Sequence, residues 1–387
     1  MKLSRAAANL RRFIKVYPDG KRYGTMETQN MTKELSAMKI TRLIKGADIS
    51  FVDEIESEGG AYYDNGEQRD VLDILKDSGI NSARLRVWND PAFDYCSPQR
   101  TIRMARRIKD KGLHLLLDFH YSDYWADPSK QFMPKAWRSL SFPQLVEEVE
   151  SFTASFLGEL DAAGARPDMV QIGNEITNGM LWDAGRVSGE YDRPEQWDQL
   201  MALVAAGVRG VRSVSTEERP IAVMIHIDRG GDNAGSRYFY DKLEAYRIDY
   251  DVIGLSYYPW WHGTLEEFSA NMHDLAVRYR KPIVAVEVAY PWTMTPPDEH
   301  PLIFNKPEWI YPGFPPSVDG QRKWLLELIR RIKEVPDGLG LGLYYWEPCW
   351  IPFKPTWSVG HENNWANLTL FDYRGNKLPS LDAFMQD

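Results

Sequence analysis

Two glutamates in this 387-residue chain stand where a carboxylate is costly. Glu175 ends the run Met169-Val-Gln-Ile-Gly-Asn-Glu175, and Glu287 sits inside Pro282-Ile-Val-Ala-Val-Glu-Val288. A carboxylate in an apolar, β-rich run is buried at a penalty unless partners compensate. Taken singly, each has an ordinary explanation as the ion-pair partner of a nearby arginine. Taken as a facing pair, they have the equipment for cleaving a glycosidic bond: one acid protonates the leaving oxygen while the other attacks or activates water. A separation of about 5–5.5 Å gives retention of anomeric configuration, and about 6.5–9.5 Å gives inversion. Asn174, beside Glu175, is placed to bond a sugar 2-hydroxyl, a contact that strengthens in the transition state. Arg86 and Tyr258 are expected to hold Glu287 ionised and oriented, because a nearby cation favours the carboxylate. Glu175 is expected in the drier setting, with a raised pKa suited to proton donation.

The elements that must position these groups recur along the chain. Eight short β-rich runs alternate with helical stretches: 45–49, 82–88, 114–120, 169–175, 221–227, 251–258, 282–288 and 341–347. Ser141-Phe-Pro-Gln144 has the form of a capping box with Pro in the first turn. Behind it Leu145, Val146, Val149, Phe152, Phe156 and Leu160 recur at three- and four-residue intervals, which predicts one apolar helix face. Arg103 to Lys111 reads as another helix, stopped by Gly112. Eight such units predict an α/β chain folded as a single (β/α)8 TIM barrel over 41–387. The surplus length falls in an N-terminal extension (1–40) and in long βα loops around 121–140, 177–200 and 289–320.

In such a barrel the chemistry belongs at the C-terminal ends of the strands. Those ends carry Asp48, Arg86 with Trp88, Asp118 with His120, Asn174-Glu175, His226 with Asp228, Tyr257-Tyr258, Glu287 and Trp346. An inward arginine or a strand-end tryptophan is by itself ordinary core. Polar or aromatic groups at all eight ends are hard to explain as core packing and point to a site.

Composition narrows the ligand. Lys and Arg number 46 against 55 Asp and Glu, a net charge of −9, which disfavours nucleic acid and anionic membranes. No run approaches 18 consecutive apolar residues, so no membrane span is expected. Cys96 and Cys349 lack metal-site spacing and are too few to staple a chain this long. Aromatic residues reach 13%, and they gather at strand ends and in the loops beyond them, as surfaces on which a flat sugar ring stacks. The first forty residues carry nine Lys or Arg against three acids and contain no apolar core of a secretory signal. A cytoplasmic location is therefore expected, with secretion under a replaced or absent signal as the alternative.

Several motifs resemble one family. Gly46-Ala-Asp-Ile-Ser50, Arg84-Leu-Arg-Val-Trp-Asn-Asp-Pro91 and Asp118-Phe-His-Tyr-Ser-Asp-Tyr-Trp-Ala-Asp-Pro128 are similar to stretches of the arabinogalactan endo-β-1,4-galactanases, glycoside hydrolase family 53. So are Gly173-Asn-Glu-Ile-Thr-Asn-Gly-Met-Leu-Trp182, Gly254-Leu-Ser-Tyr-Tyr-Pro259 and Trp346-Glu-Pro-Cys-Trp-Ile351. The resemblance runs in order from about Lys45 to the C-terminus. It implies a retaining glycoside hydrolase acting on β-1,4-galactan by double displacement, with Glu175 as acid/base and Glu287 as nucleophile, and no redox or nucleotide cofactor. Trp125 and Trp182, in loops after the third and fourth strands, are expected to stack on pyranose faces.

Three features depart from the family's pattern. Many bacterial members carry calcium in the loops after strands seven and eight. Here those loops read Thr293-Met-Thr-Pro-Pro-Asp-Glu-His300 and Asn363-Asn-Trp-Ala-Asn367, with Ala366 where an acid is expected. Ca²⁺ takes 6–8 oxygens, so no metal is expected. The family is usually exported, and no signal is visible. Tyr290-Pro-Trp292 with the aromatic, Pro-rich 304–316 segment reads as a lid that closes one end of the cleft and shortens the products. Two other readings stay open: a retaining β-glycanase of the mannanase or cellulase type, not expected to share 118–128, and a non-catalytic carbohydrate-binding barrel.

Overall fold

The eight β-rich runs form the eight strands of the barrel. The computed structural model describes residues 43–354 and 363–386; the extension at 1–40 lies outside the described residues. The strands are β1 (Ile44–Asp48), β2 (Ser82–Val87), β3 (His114–Phe119), β4 (Met169–Ile172), β5 (Ala222–Ile227), β6 (Val252–Tyr257), β7 (Ile283–Val288) and β8 (Gly340–Tyr345). They pair in parallel in sequence order, and β1 closes the ring against both β2 and β8. Runs such as Leu115-Leu-Leu117 are buried throughout, as strands covered on both faces must be.

Among the described residues a main helix follows each of the first seven strands: α1 (Val71–Asp77), preceded by a shorter helix Val52–Ser57, α2 (Pro98–Asp110), α3 (Phe142–Ala162), α4 (Pro194–Val214), α5 (Asn233–Ala245), α6 (Leu265–Tyr279) and α7 (Val318–Lys333). The capping box at α3 is present, with Ser141 N donating to Gln144 Oε1 at 2.9 Å. A second box, unremarked in the sequence, starts α6: Thr264 N donates to Glu267 Oε2 and Glu267 N to Thr264 Oγ1. The βα connections carry the additions, among them a hairpin at Tyr62–Asp64 and Glu67–Arg69, another at Gly179–Met180 and Gly185–Arg186, and a short helix Pro259–His262.

Strand alternation sorts the interior into layers. Low in the barrel, Tyr344 lies across the space beside Gly46 and shares a 2.7 Å hydrogen bond with Ser82. A Cβ on Gly46 would overlap that ring. Higher up, Arg84 and Arg86 of β2 both turn inward. One irregularity matters for the site. Between β6 and β7 the register runs Leu255↔Ala285 and then Ser256↔Glu287, so Val286 is an extra residue on β7. Such a bulge re-aims the side chain that follows it. Val286 still faces the interior, its Cγ1 3.3 Å from where a Gly254 Cβ would stand, and Glu287 comes level with Ser256.

Candidate active site

The strand ends converge on a cavity of about 510 Å³ whose lining includes both Glu175 and Glu287. Its base is a charge cluster around Arg84, a fully buried side chain. Arg84 Nη1 donates to Asp48 Oδ2 and to Glu287 Oε1, both at 2.9 Å. Its Nη2 donates to Asp118 Oδ2 and Asn174 Oδ1, both at 2.8 Å, and to Gln171 Oε1 at 3.2 Å. One guanidinium thus faces three carboxylates from β1, β3 and β7. Tyr258, just past β6, gives its hydroxyl proton to Glu287 Oε2 at 3.0 Å. Burial pushes the Glu287 carboxyl up to about 7; Arg84 pulls it down, while the charges of Asp48 and Asp118 add to the rise.

Glu175 has a different environment. It leaves β4 in the left-handed region, φ 48° and ψ 50°, an uncommon conformation for a residue with a side chain. Among the described residues its carboxylate receives one hydrogen bond, from the Ser256 hydroxyl to Oε1 at 2.6 Å. Burial, and then the negative charges of Glu287 and Asp228, hold its pKa well above the ordinary carboxylate range, with the Ser256 bond opposing. Asn174 is fixed by giving one amide hydrogen to Ala126 O and by accepting from Arg84; its second amide hydrogen is left for a ligand.

The walls are aromatic. Trp125, Trp346, Trp350 and Trp365 line the cavity, with Trp346 6.0 Å from Trp125, 6.0 Å from Trp350 and 4.5 Å from Trp365 between ring centres. Trp261, from the short helix after β6, lines it as well and is about half exposed. His120 also lines it. Its Nδ1 accepts from Trp88 Nε1 at 2.9 Å, so its Nε2 carries the proton toward Asp118 Oδ2, 3.1 Å away.

Of the residues expected from sequence, Asp48, Arg86, Asp118, His120, Trp125, Asn174, Glu175, Asp228, Tyr258, Glu287 and Trp346 meet in this cavity. Arg86 makes other contacts than expected, and Trp88, His226, Tyr257 and Trp182 do not line the cavity. Arg86 does not bind Glu287: Arg84, two residues deeper on the same face, takes that place. Arg86 instead pairs with Glu347 Oε1 at 2.7 Å, its guanidinium 4.3 Å from the Trp125 ring centre. Burial raises the Glu347 carboxyl to about 8 against the pull of Arg86. Trp88 is buried behind His120 rather than lining the cavity. His226 is fully buried beneath Glu175. Tyr257 points outward by strand alternation and stacks on Phe268, 4.2 Å between centres. Trp182 is carried off by its hairpin, where it packs under Arg186 and donates to Asn178 O.

Arg84, Gln171, Ser256 and Glu347 were missed, as were Trp350 and Trp365. The signal for Arg84 was available, since Arg84-x-Arg86 puts two arginines on one face of a strand. Serine and glutamine carry no such signal. The segment read as a lid is packed down: Tyr290 is buried, stacks on Trp324 at 4.9 Å and donates to Phe314 O, while Phe304 is buried against Trp260. No residue of 290–292 or 304–316 lines the cavity; Ile303, one residue before the second stretch, does. The two loops compared for calcium do meet, but their polar groups bind one another. Asp298 Oδ1 accepts from His300 N, Asp298 Oδ2 accepts from Asn363 Nδ2, and Asn363 Oδ1 accepts from Phe353 N. Among the described residues, that donor set falls short of a calcium shell of 6–8 oxygens. Among the described residues there is no cluster of three or more metal-ligating side chains.

A family model described as glycosyl hydrolase family 53 matches residues 44–384. A Niallia circulans protein, described as an uncharacterized protein in bgaB 5′ region, is 56% identical over 89% of this chain and 94% of its own length. The arabinogalactan endo-beta-1,4-galactanase of Cellvibrio japonicus is 35% identical over 88% of this chain and 90% of its own. Among solved structures, the Ignisphaera aggregans GH53 catalytic domain superposes with a TM-score of 0.83 at 41% identity, covering 88% of this chain and 95% of that one.

Proposed function

The chain belongs to glycosyl hydrolase family 53, and from that premise we propose that it hydrolyses β-1,4-galactan with Glu287 as nucleophile and Glu175 as acid/base. Cleavage in this family retains anomeric configuration. The observation that carries the assignment is the unequal surroundings of the two glutamates. Glu287 is held between a guanidinium and a phenol, which stabilise its charge, whereas Glu175 has one neutral serine and three nearby negative charges, which favour its proton.

In the first step a Glu287 oxygen bonds to the anomeric carbon, the glycosidic C–O bond breaks, and Glu175 gives its proton to the departing oxygen. The product is a galactosyl ester on Glu287. Esterification removes the negative charge that was raising the Glu175 pKa, so Glu175 becomes content as a carboxylate at the moment it must act as a base. In the second step Glu175 takes a proton from water, the water oxygen bonds to the anomeric carbon, and the ester bond to Glu287 breaks. Tyr258 and Arg84 receive the returning charge.

Galactan is the substrate favoured by the similarity to the Cellvibrio enzyme, and the tryptophan walls suit a neutral sugar chain. Reducing-sugar release should be seen on linear β-1,4-galactan and not on mannan or carboxymethylcellulose; activity on only the latter two would sink the substrate assignment. Glu287→Ala should abolish turnover even of activated aryl glycosides. Glu175→Ala should keep the first step on a good leaving group and respond to added azide. If the two variants behave alike, the roles are misassigned.

A further inference from the structure

Ser256 and His226 stand outside the two-glutamate chemistry, yet among the described residues they form the one hydrogen-bonded chain that ends on the Glu175 carboxylate. Ser256 Oγ lies 2.6 Å from Glu175 Oε1 and 2.8 Å from His226 Nε2. Ser256 and His226 are fully buried, so the chain meets the cavity only at Glu175. The direction of the donors is set at the far end. The backbone N–H of Glu175 points at His226 Nδ1 at 3.4 Å, and Gln171 Nε2 lies 3.1 Å from the same atom. Asn174 Oδ1 also lies 3.1 Å from Nδ1, but its two lone pairs already face Arg84 Nη2 at 2.8 Å and Gln171 Nε2 at 3.1 Å. Beside the fixed backbone donor, Nδ1 is the acceptor and the neutral ring carries its proton on Nε2. Burial, reinforced by the Arg84 charge, keeps the ring neutral. Nε2–H therefore donates to Ser256 Oγ. The serine, with one proton of its own, donates it to Glu175 Oε1.

We propose that Ser256 and His226 are positioning residues for proton transfer, holding Glu175 Oε1 as a permanent acceptor so that the catalytic proton is carried on Oε2. The inference rests on the reading of Glu175 as acid/base. Were the proton to move to Oε1, Ser256 would have to turn its own proton to Nε2, and His226 would have to place a hydrogen on Nδ1 against the Glu175 N–H. The rearrangement sets two donors face to face in a dry site, which is unfavourable. The same bond offsets part of the pressure on Glu175 from its surroundings: Glu287 on β7, Asp228 after β5 and Asp127 after β3. The charged and titratable groups around His226 are Arg84, His120 and His262.

The test compares Ser256→Ala and Ser256→Thr on galactan, whose leaving group needs a proton, and on a dinitrophenyl β-galactoside, whose leaving group does not. For Ser256→Ala we expect kcat/KM on galactan to fall about tenfold, with less than about a twofold change on the aryl glycoside. The basic limb of kcat/KM on galactan should move upward by about one pH unit, because a bond to the charged form has been lost. Ser256→Thr, which keeps the hydroxyl, should restore both. An equal loss on both substrates, or an unmoved basic limb, overturns the proposal. Failure of the underlying role shows separately: Glu175→Ala would then fail to discriminate between the two leaving groups, whatever Ser256→Ala does.

Discussion

Arg84 decides how the site holds its charge. It is the only cation bonded to Asp48, Asp118 and Glu287 among the described residues, and it bonds all three. Removing one partner from a buried ionic cluster is costly because the others stay buried and uncompensated, about 3–5 kcal/mol. Arg84→Met should therefore destabilise the fold by about 3–5 kcal/mol, and it should lower kcat/KM at neutral pH because the nucleophile loses the cation that holds it ionised. The acidic limb of the pH profile, which Glu287 sets, should move to higher pH, since the group that favours its ionised form is gone. A pH–rate series on Arg84→Met decides this; an acidic limb in the same place would show that Arg84 does not control Glu287. At this scale the sequence was only half legible. Arg84 and Arg86 share one strand face and differ by a rise of roughly 7 Å, and residue type does not say which one reaches the nucleophile.

At the level of elements, strand periodicity predicted the eight strand ends well but not the facing of every residue near them. Tyr257 and Tyr258 are adjacent, so only one can face inward, and the choice depends on a register that no local pattern records. The bulge at Val286 is equally silent: Ile-Val-Ala-Val-Glu-Val reads as regular alternation, yet Val286 and Glu287 both serve the interior. Trp182 looked available because it follows a strand, but its hairpin carries it away. Close packing lower in the barrel can be tested at Gly46, where a methyl group meets the Tyr344 ring. Gly46→Ala should destabilise the fold by about 1–3 kcal/mol through overpacking. Adding Tyr344→Leu should recover part of that loss. Calorimetric unfolding of the single and double variants measures both; an unchanged Tm for Gly46→Ala would mean that the interior gives way freely there.

For the whole molecule, the two ends of the barrel respond to pH in opposite directions. At the N-terminal end Asp168 bonds Lys109 Nζ at 2.8 Å and Leu115 N at 2.8 Å, and His114 is nearby. Its carboxyl is lowered to about 2, so its stabilisation is complete above the ordinary carboxylate range and disappears as pH falls through about 2. At the site end, Glu287 and Glu347 are raised to about 7 and about 8. The folded state there binds protons that the unfolded chain has released, so stability falls as pH rises from about 4.5 toward 8. Tm should therefore peak in mildly acidic solution and drop by about 5 °C or more by pH 8. Glu347→Gln should flatten the fall toward pH 8, and Asp168→Asn should flatten the separate loss of stability between about pH 4 and 2. A Tm that is level from pH 5 to 8 in the parent protein would contradict the account. The architecture as a whole was readable because alternation and helix caps are local signals; the loop walls were not, because a tryptophan in a loop has no periodicity to reveal its direction. The same division governs how such a molecule can change. The charge cluster hangs from β1, β2, β3 and β7, where each replacement disturbs several partners, whereas Trp125, Trp261, Trp350 and Trp365 hang from loops. A lineage can exchange its walls, and with them its polysaccharide, while inheriting the bond-breaking apparatus intact.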